Sequence, residues 1–132
     1  MLHTLSIRTG QRIHMIDLTA QVQEVVRGRG LAEGVCHVFV AHTTAGLTIN
    51  ENADPSVQAD ILMVLNKIIS DGEPYRHLEG NSPAHIKASL MGPHLTVLVN
   101  GGRLVLGTWQ GLYLCEFDGP RTRKVHVKVM AG

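Results

Sequence analysis

The stretch from Leu95 to Met130 constrains the fold more than any other part of the chain. Leu95 to Val99 and Arg103 to Gly107 read as strands around Asn100-Gly101-Gly102, a turn whose glycines supply positive φ. Leu112 to Phe117 and Arg123 to Met130 read as two more strands around Asp118-Gly119-Pro120. Helices are not interleaved with every strand, which points to mainly antiparallel pairing and away from a doubly wound parallel sheet.

The upstream pattern completes the order. Leu2 to Arg8 and Arg12 to Ile16, broken at Gly10, read as a hairpin. Asp17 caps a helix from Leu18 to about Arg27, with Leu18, Val22, Val25 and Val26 at helical spacing and Gly28 and Gly30 at its end. Val35 to Ala41 is nearly continuous in apolarity, as in a strand covered on both faces, and Gly46 to Ile49 is a further strand. Asp54-Pro55 opens a helix to about Ile69, with Val57, Ile61, Val64, Leu65 and Ile68 on one stripe. Ser82-Pro83 opens a short one to about Met91, stopped by Gly92-Pro93. The order ββα-ββα-α-ββββ predicts an α+β fold: a mainly antiparallel, β-sandwich-like body with about three helices, in one domain over residues 1–132.

Composition removes several function classes. Twelve Lys+Arg against eleven Asp+Glu leave a net charge of +1, which disfavours a nucleic-acid coat or an electrostatic membrane binder. Two Phe, two Tyr and one Trp are too few for a single-strand stacking platform. The sequence shows no apolar run of spanning length and no signal-peptide pattern, and its two cysteines lie in strand-like runs. These features predict a cytoplasmic protein with reduced thiols. No phosphate loop, dinucleotide fingerprint, paired Cys-x-x-Cys, His-Glu-x-x-His or Gly-x-Ser-x-Gly is present, so no nucleotide cofactor is predicted.

The anomaly is histidine, with eight residues. Three crowds of polar residues gather beside strand and helix ends, where a rigid scaffold presents binding groups. The first runs from His42-Thr43-Thr44 through Asn50-Glu51-Asn52 to Asp54, whose role is that of a cap. The second is Tyr75-Arg76-His77-Leu78-Glu79-Gly80-Asn81-Ser82 with His85 and Lys87. Asn81, Ser82, Lys87 and the free N–H groups of the helix start can hold a phosphate. Alternatively, His77, Glu79 and His85, with His42 as a third histidine, can hold a divalent metal such as zinc. The third crowd is Gly107-Thr108-Trp109-Gln110-Gly111 and Glu116-Phe117-Asp118-Gly119-Pro120-Arg121. Spacing alone makes Trp109 a core residue; Arg121 and the basic strand end Arg123-Lys124 read as anion ligands or as a solvated face.

His42-Thr43-Thr44-Ala45, Asn50-Glu51-Asn52, His77-Leu78-Glu79-Gly80-Asn81, His85-Ile86-Lys87-Ala88-Ser89, Gly107-Thr108-Trp109-Gln110 and Glu116-Phe117-Asp118-Gly119-Pro120-Arg121 resemble the YjbQ-like family over nearly the whole chain. That family carries the label secondary thiamine-phosphate synthase. The resemblance implies a homotrimer and a weak ability to join a pyrimidine diphosphate to a thiazole phosphate. It also implies a pocket drawn from His42, Asn50, Glu51, His77, Asn81, His85, Lys87, Trp109, Gln110 and Glu116.

The expectation is therefore a small enzyme acting on a phosphorylated substrate, with no nucleic-acid or membrane partner. His85, His77, Glu51, Glu116 and Lys87 are its candidate catalytic residues. Asn50, Asn81, Trp109, Gln110 and Arg121 are candidate substrate ligands. His42, His77 and His85 are candidate ligands of a divalent ion, zinc or magnesium. The alternatives are a metal-dependent phosphate-ester hydrolase and a non-catalytic small-molecule or metal-binding protein. The apolar run from Val35 to Ala41 adds a physical reason to expect a trimer, since one subunit does not supply enough cover for both faces of that strand.

Overall fold

A computed structural model describes residues 1–132. In chain order the elements are β1 (Leu2–Arg8), β2 (His14–Asp17), α1 (Thr19–Arg29), β3 (Glu33–Val40), β4 (Ala45–Glu51), α2 (Pro55–Ile68), α3 (Ser82–Met91), β5 (His94–Asn100), β6 (Arg103–Leu104), β7 (Gln110–Glu116) and β8 (Thr122–Ala131). The order and the α+β class are those the turn and cap signals predict. Asp17 Oδ1 accepts from Thr19 N at the start of α1, and Gly30, at φ 66°, ends it. Asp54 Oδ1 accepts from Ser56 N ahead of α2. Gly101 and Gly102 take positive φ between β5 and β6. β6 is shorter than its sequence suggests and ends at Leu104.

Two antiparallel sheets form the body, in the orders β1-β8-β3-β5-β6 and β2-β7-β4. Their facing sides make the main core. Cys36, Val38, Val97, Val125 and Val127 come from the larger sheet, Leu47, Leu112 and Leu114 from the smaller, Val22 and Val26 from α1, and Leu18 from the position just before it. A second cluster lies on the opposite side of the smaller sheet. There Met15, Tyr113, Cys115 and Phe117 pack against Ala84 and Ala88 of α3, with Ile61, Leu62 and Leu65 of α2 alongside.

Three expectations need correction. The first two strands do not form a hairpin: β1 pairs with β8 and β2 with β7. Residues 9–13 cross between the sheets because they are tied to the loop after β7, with Thr9 N donating to Arg121 O and Gly119 N to Arg12 O. The strand covered on both faces is β7, where every residue from Gly111 to Glu116 is buried. β3 instead alternates, and Phe39 on its outer side is 46% exposed. α2 and α3 lie over the outer side of the smaller sheet, whereas α1 packs in the main core, so only the smaller sheet is covered twice. Finally, α2 has no buried residue: Val57, Ile61 and Leu65 are half-buried, but Val64 and Ile68 face outward. No helix is long and apolar enough to cross a membrane.

Candidate functional site

Three loops meet at one end of the sandwich: residues 42–44 between β3 and β4, residues 75–81 before α3, and residues 117–121 between β7 and β8. They enclose a cavity of about 660 Å³. Its lining is His42, Thr43, Thr44, His77, Glu79, Asn81, His85, Asp118, Arg121, Thr122 and Arg123, with no hydrophobic residue. Residues separated by up to about eighty positions in sequence thus share one polar hollow.

The floor is a buried ion pair. Arg123 is 2% exposed and Glu116 0%. Arg123 Nε donates to Glu116 Oε1 at 2.8 Å and Nη2 to Glu116 Oε2. The same Nη2 donates to Thr44 Oγ1 at 2.8 Å, which fixes the 42–44 loop. Thr9 Oγ1 donates to Glu116 Oε1 and the Asp118 amide to Oε2. Burial alone would raise the Glu116 carboxyl, but these donors outweigh it and hold it below its ordinary value. The carboxylate is saturated, so Glu116 holds the floor together and offers nothing to a ligand. Arg123 is no solvated strand end. It shares the inward face of β8 with Val125, Val127 and Val129, a placement that the period of two already encodes.

The rim is a second network. Asp118 Oδ2 accepts from Asn81 Nδ2 and from Arg121 Nη2, both at 2.9 Å, and Arg121 Nε donates to the Asp118 carbonyl at 2.7 Å. Burial pushes the Asp118 carboxyl up, yet the bonds from Asn81 and Arg121 prevail and lower it. Asn81 therefore serves chiefly to clip the 117–121 loop to the start of α3. The Arg121 side chain is half-exposed and keeps N–H groups for an anion.

His42 Nε2 accepts the Lys124 backbone N–H at 2.8 Å. That amide can only donate, so the ring proton sits on Nδ1 and the neutral imidazole is a donor to the cavity. Burial, then the Arg123 charge, lowers its pKa. The consequence for stability has a definite sign. Folding favours the neutral ring, so its contribution is complete above the unfolded value near 6.5 and is lost as pH falls through the lowered folded value. Urea midpoints measured from pH 7.5 down to 5 should fall more steeply for the natural protein than for His42→Ala. Parallel curves would refute the assignment.

His77 and His85 lie ring edge to ring face, with centroids 5.3 Å apart and planes at 86°, and His77 Nε2 is 3.9 Å from Glu79 Oε2. All three histidines line the cavity, yet no group of three His, Cys, Asp or Glu side chains is arranged to hold a metal ion. His42 has also committed Nε2 to an amide. The residues of one chain do not fit a three-histidine metal centre.

The other candidates lie elsewhere. Lys87 is 2% exposed and turns from the cavity to α2, where Nζ donates to Asn66 Oδ1 at 2.5 Å; burial lowers its pKa. Asn50, Glu51, Trp109 and Gln110 sit at the opposite end of the β4–β7 pair, whose register runs from Ala45↔Glu116 to Glu51↔Gln110. At about 3.3 Å per residue that places them about 20 Å from the cavity. Trp109 is 63% exposed and is no core residue.

Comparison with known proteins agrees with the fold. The family model described as "UPF0047 protein YjbQ-like" matches residues 3–132. The UPF0047 protein YugU of Bacillus subtilis is 49% identical over 131 residues, covering 98% of this chain and 99% of that protein. A UPF0047 protein of Methanocaldococcus jannaschii is 45% identical over 130 residues, covering 98% and 94%. The crystal structure of a YjbQ/UPF0047 protein from Clostridium acetobutylicum superposes with a TM-score of 0.95 at 51% identity, covering 97% of this chain and 99% of that one. A Sulfolobus solfataricus structure, described as a YbjQ-like protein of unknown function, also gives 0.95, at 31% identity with 100% and 97% covered. These relatives establish kinship and fold, and their descriptions carry no activity.

Proposed function

The chain belongs to the UPF0047 YjbQ-like family, and we propose that its three-loop cavity binds a small phosphorylated compound and turns it over with release of pyrophosphate. The observation that carries this reading is the wholly polar lining, in which Arg121, the Nδ1–H of His42 and the Thr43 and Thr122 hydroxyls supply donors to one hollow. Donors fixed in place before a ligand arrives stabilise developing negative charge without reorganisation. The reaction we favour is the weak thiamine-phosphate synthase activity, joining a pyrimidine diphosphate to a thiazole phosphate. His85 and His77 are the acid–base candidates, because both rings reach the cavity and histidine serves either role near neutrality. Lys87 and Glu116 are left out of the chemistry on geometric grounds.

We further propose a cytoplasmic setting and a homotrimer. Cys36 and Cys115 are free and buried, with thiols pushed up to about 11 and about 12 by burial, which suits a reducing compartment. Exposed Phe39, Leu98 and Met130 on the larger sheet, with Met63, Val64 and Ile68 on α2, are more apolar surface than a monomer needs to show.

Calorimetric titration with inorganic pyrophosphate tests the site. Losing the charge-assisted bonds of Arg121 in Arg121→Gln should weaken binding by about 10-fold or more. Unchanged affinity in both Arg121→Gln and His85→Ala would remove the cavity as the site. Tight binding of pyrophosphate with no coupling of the two heterocycles would make the protein a binding module instead of an enzyme.

A further inference from the structure

A smaller recess adjoins the three-loop cavity. Its volume is about 300 Å³, and His42, Thr43 and His85 line both spaces. The residues it adds are Ala45, Ala88, Ser89 and Pro93, none of them charged. The larger space is wholly polar, the smaller is faced mainly by carbon, and two imidazoles and a hydroxyl form the wall between them.

Small side chains on a fixed frame leave this recess open. His85, Ala88 and Ser89 stand at i, i+3 and i+4, so they share one face of α3. Gly46 of β4 lets the end of that helix come close: an added Cβ would stand 2.8 Å from Met91 Cβ and 3.1 Å from the Gly92 carbonyl oxygen. The chain leaving α3 is then held to both sheets, with Leu47 N donating to the Gly92 carbonyl at 2.9 Å and Val40 N to the Pro93 carbonyl at 2.8 Å. Ser89 Oγ donates to the His85 carbonyl at 2.9 Å, so its proton is spent on its own helix. The recess is therefore formed before any ligand arrives, which lowers the cost of filling it.

The formal charges lie in the larger space. Two carboxylates line it beside Arg121. Asp118 accepts from Arg121 and Asn81, and Glu79 is 75% exposed, 3.9 Å from His77. The donors left for an anion include Arg121 and the Nδ1–H of His42, and His42 is also a wall of the recess.

We infer that the two spaces form one bipartite site, in which the phosphates of an organic diphosphate bind at Arg121 and His42 while its uncharged body enters the recess. Ser89 and Pro93, both exposed at its edge, set the limit on that body. About 300 Å³ is at the lower end for small-molecule sites, which suits a single ring or a short branched chain. The inference rests on the reading of the cavity as an anion site and adds which end of the ligand goes where and which residues select it.

Methyl diphosphate and benzyl diphosphate test this by calorimetric titration, because they share the anion and differ only in the body. The natural protein should bind the benzyl ester about 10-fold more tightly or better, through the apolar surface the ring buries. Ser89→Phe and Ser89→Leu change an exposed helix position and fill the recess, so in both the benzyl ester should fall to within about 2-fold of the methyl ester. Ser89→Ala, which leaves the recess open, should keep the preference. Equal binding of the two esters by the natural protein overturns the inference and leaves the anion site standing, and so does a full preference that survives both bulky substitutions. Failure of the natural protein to bind either ester sinks the anion reading and this inference with it.

Discussion

Arg123→Met should destabilise the protein by about 3–5 kcal/mol, the range for removing one partner of a buried ion pair. The substitution keeps much of the volume and removes the charge. Glu116 then remains 0% exposed with a full negative charge, retaining only Thr9 and the Asp118 amide as donors. Thr44 loses its tether as well. For a chain of this size the melting temperature should fall by roughly 10 °C or more. The double variant Arg123→Met with Glu116→Gln should recover much of the loss, because a neutral amide no longer carries an unpaired buried charge. Equilibrium urea unfolding of the three proteins checks this, and a single-variant loss under about 1 kcal/mol would contradict the ion-pair account. Acid provides a parallel test. Glu116 is held below its ordinary value near 4.5, so its contribution is present above that pH and is lost as pH falls through the folded value. The natural protein should therefore lose stability on acidification in a component that the double variant lacks.

The residues that build this floor show what a sequence can and cannot disclose. Helix starts were legible because Asp17 and Asp54-Pro55 act locally, within a few residues of the backbone groups they satisfy. The β5–β6 turn was legible for the same reason. The partner of β1 was not, because β8 lies more than a hundred residues away and Gly10 reads equally well as a hairpin tip or a crossing. Within the site, His42, His77, Asn81, His85 and Arg121 were legible as polar residues at strand and helix ends, and all five line the cavity. Thr43, Thr44 and Asp118 line it too, and the sequence marks them only as members of the polar crowds; Arg123 reads there as an anion ligand or a solvated face, and Thr122 carries no signal. Arg123 carried a readable signal, since Val125, Val127 and Val129 share its side of β8. Lys87 misled in the other direction. Its spacing from His85 suits a phosphate site, but its side chain leaves α3 toward Asn66, a direction set by how α2 and α3 pack. Trp109 misled because a lone tryptophan between glycines carries no mark of which side of it meets solvent.

The largest effect on the site should come from the smallest change, Gly119→Ala. An added Cβ would stand 2.2 Å from the Gln11 carbonyl oxygen and 2.9 Å from both Glu116 Cγ and Thr9 Oγ1. The first of these is backbone of the crossing segment, which is itself tied down where Gly119 N donates to the Arg12 carbonyl. None of the three can give way without releasing a bond, either that of Gly119 N to the Arg12 carbonyl or those of Thr9 and Glu116 in the buried floor, so the 117–121 loop must move. That loop carries Asp118 and Arg121, and displacing it takes Asp118 from Asn81 and aims Arg121 away from the cavity. Stability should fall by about 3 kcal/mol or more, as for strain imposed on a packed position, and pyrophosphate affinity should fall about 10-fold or more with it. Gly10→Ala, in the adjoining crossing segment, is the internal comparison. Nothing lies within 4 Å of its Cβ position and its φ is not positive, so stability should stay within about 0.5 kcal/mol, or rise slightly through the unfolded state. The pair separates the crowding at the base of the site from any general demand for glycine in this segment. If Gly119→Ala melts and binds like the natural protein, the loop is not held as described, and the cavity rim loses its physical basis.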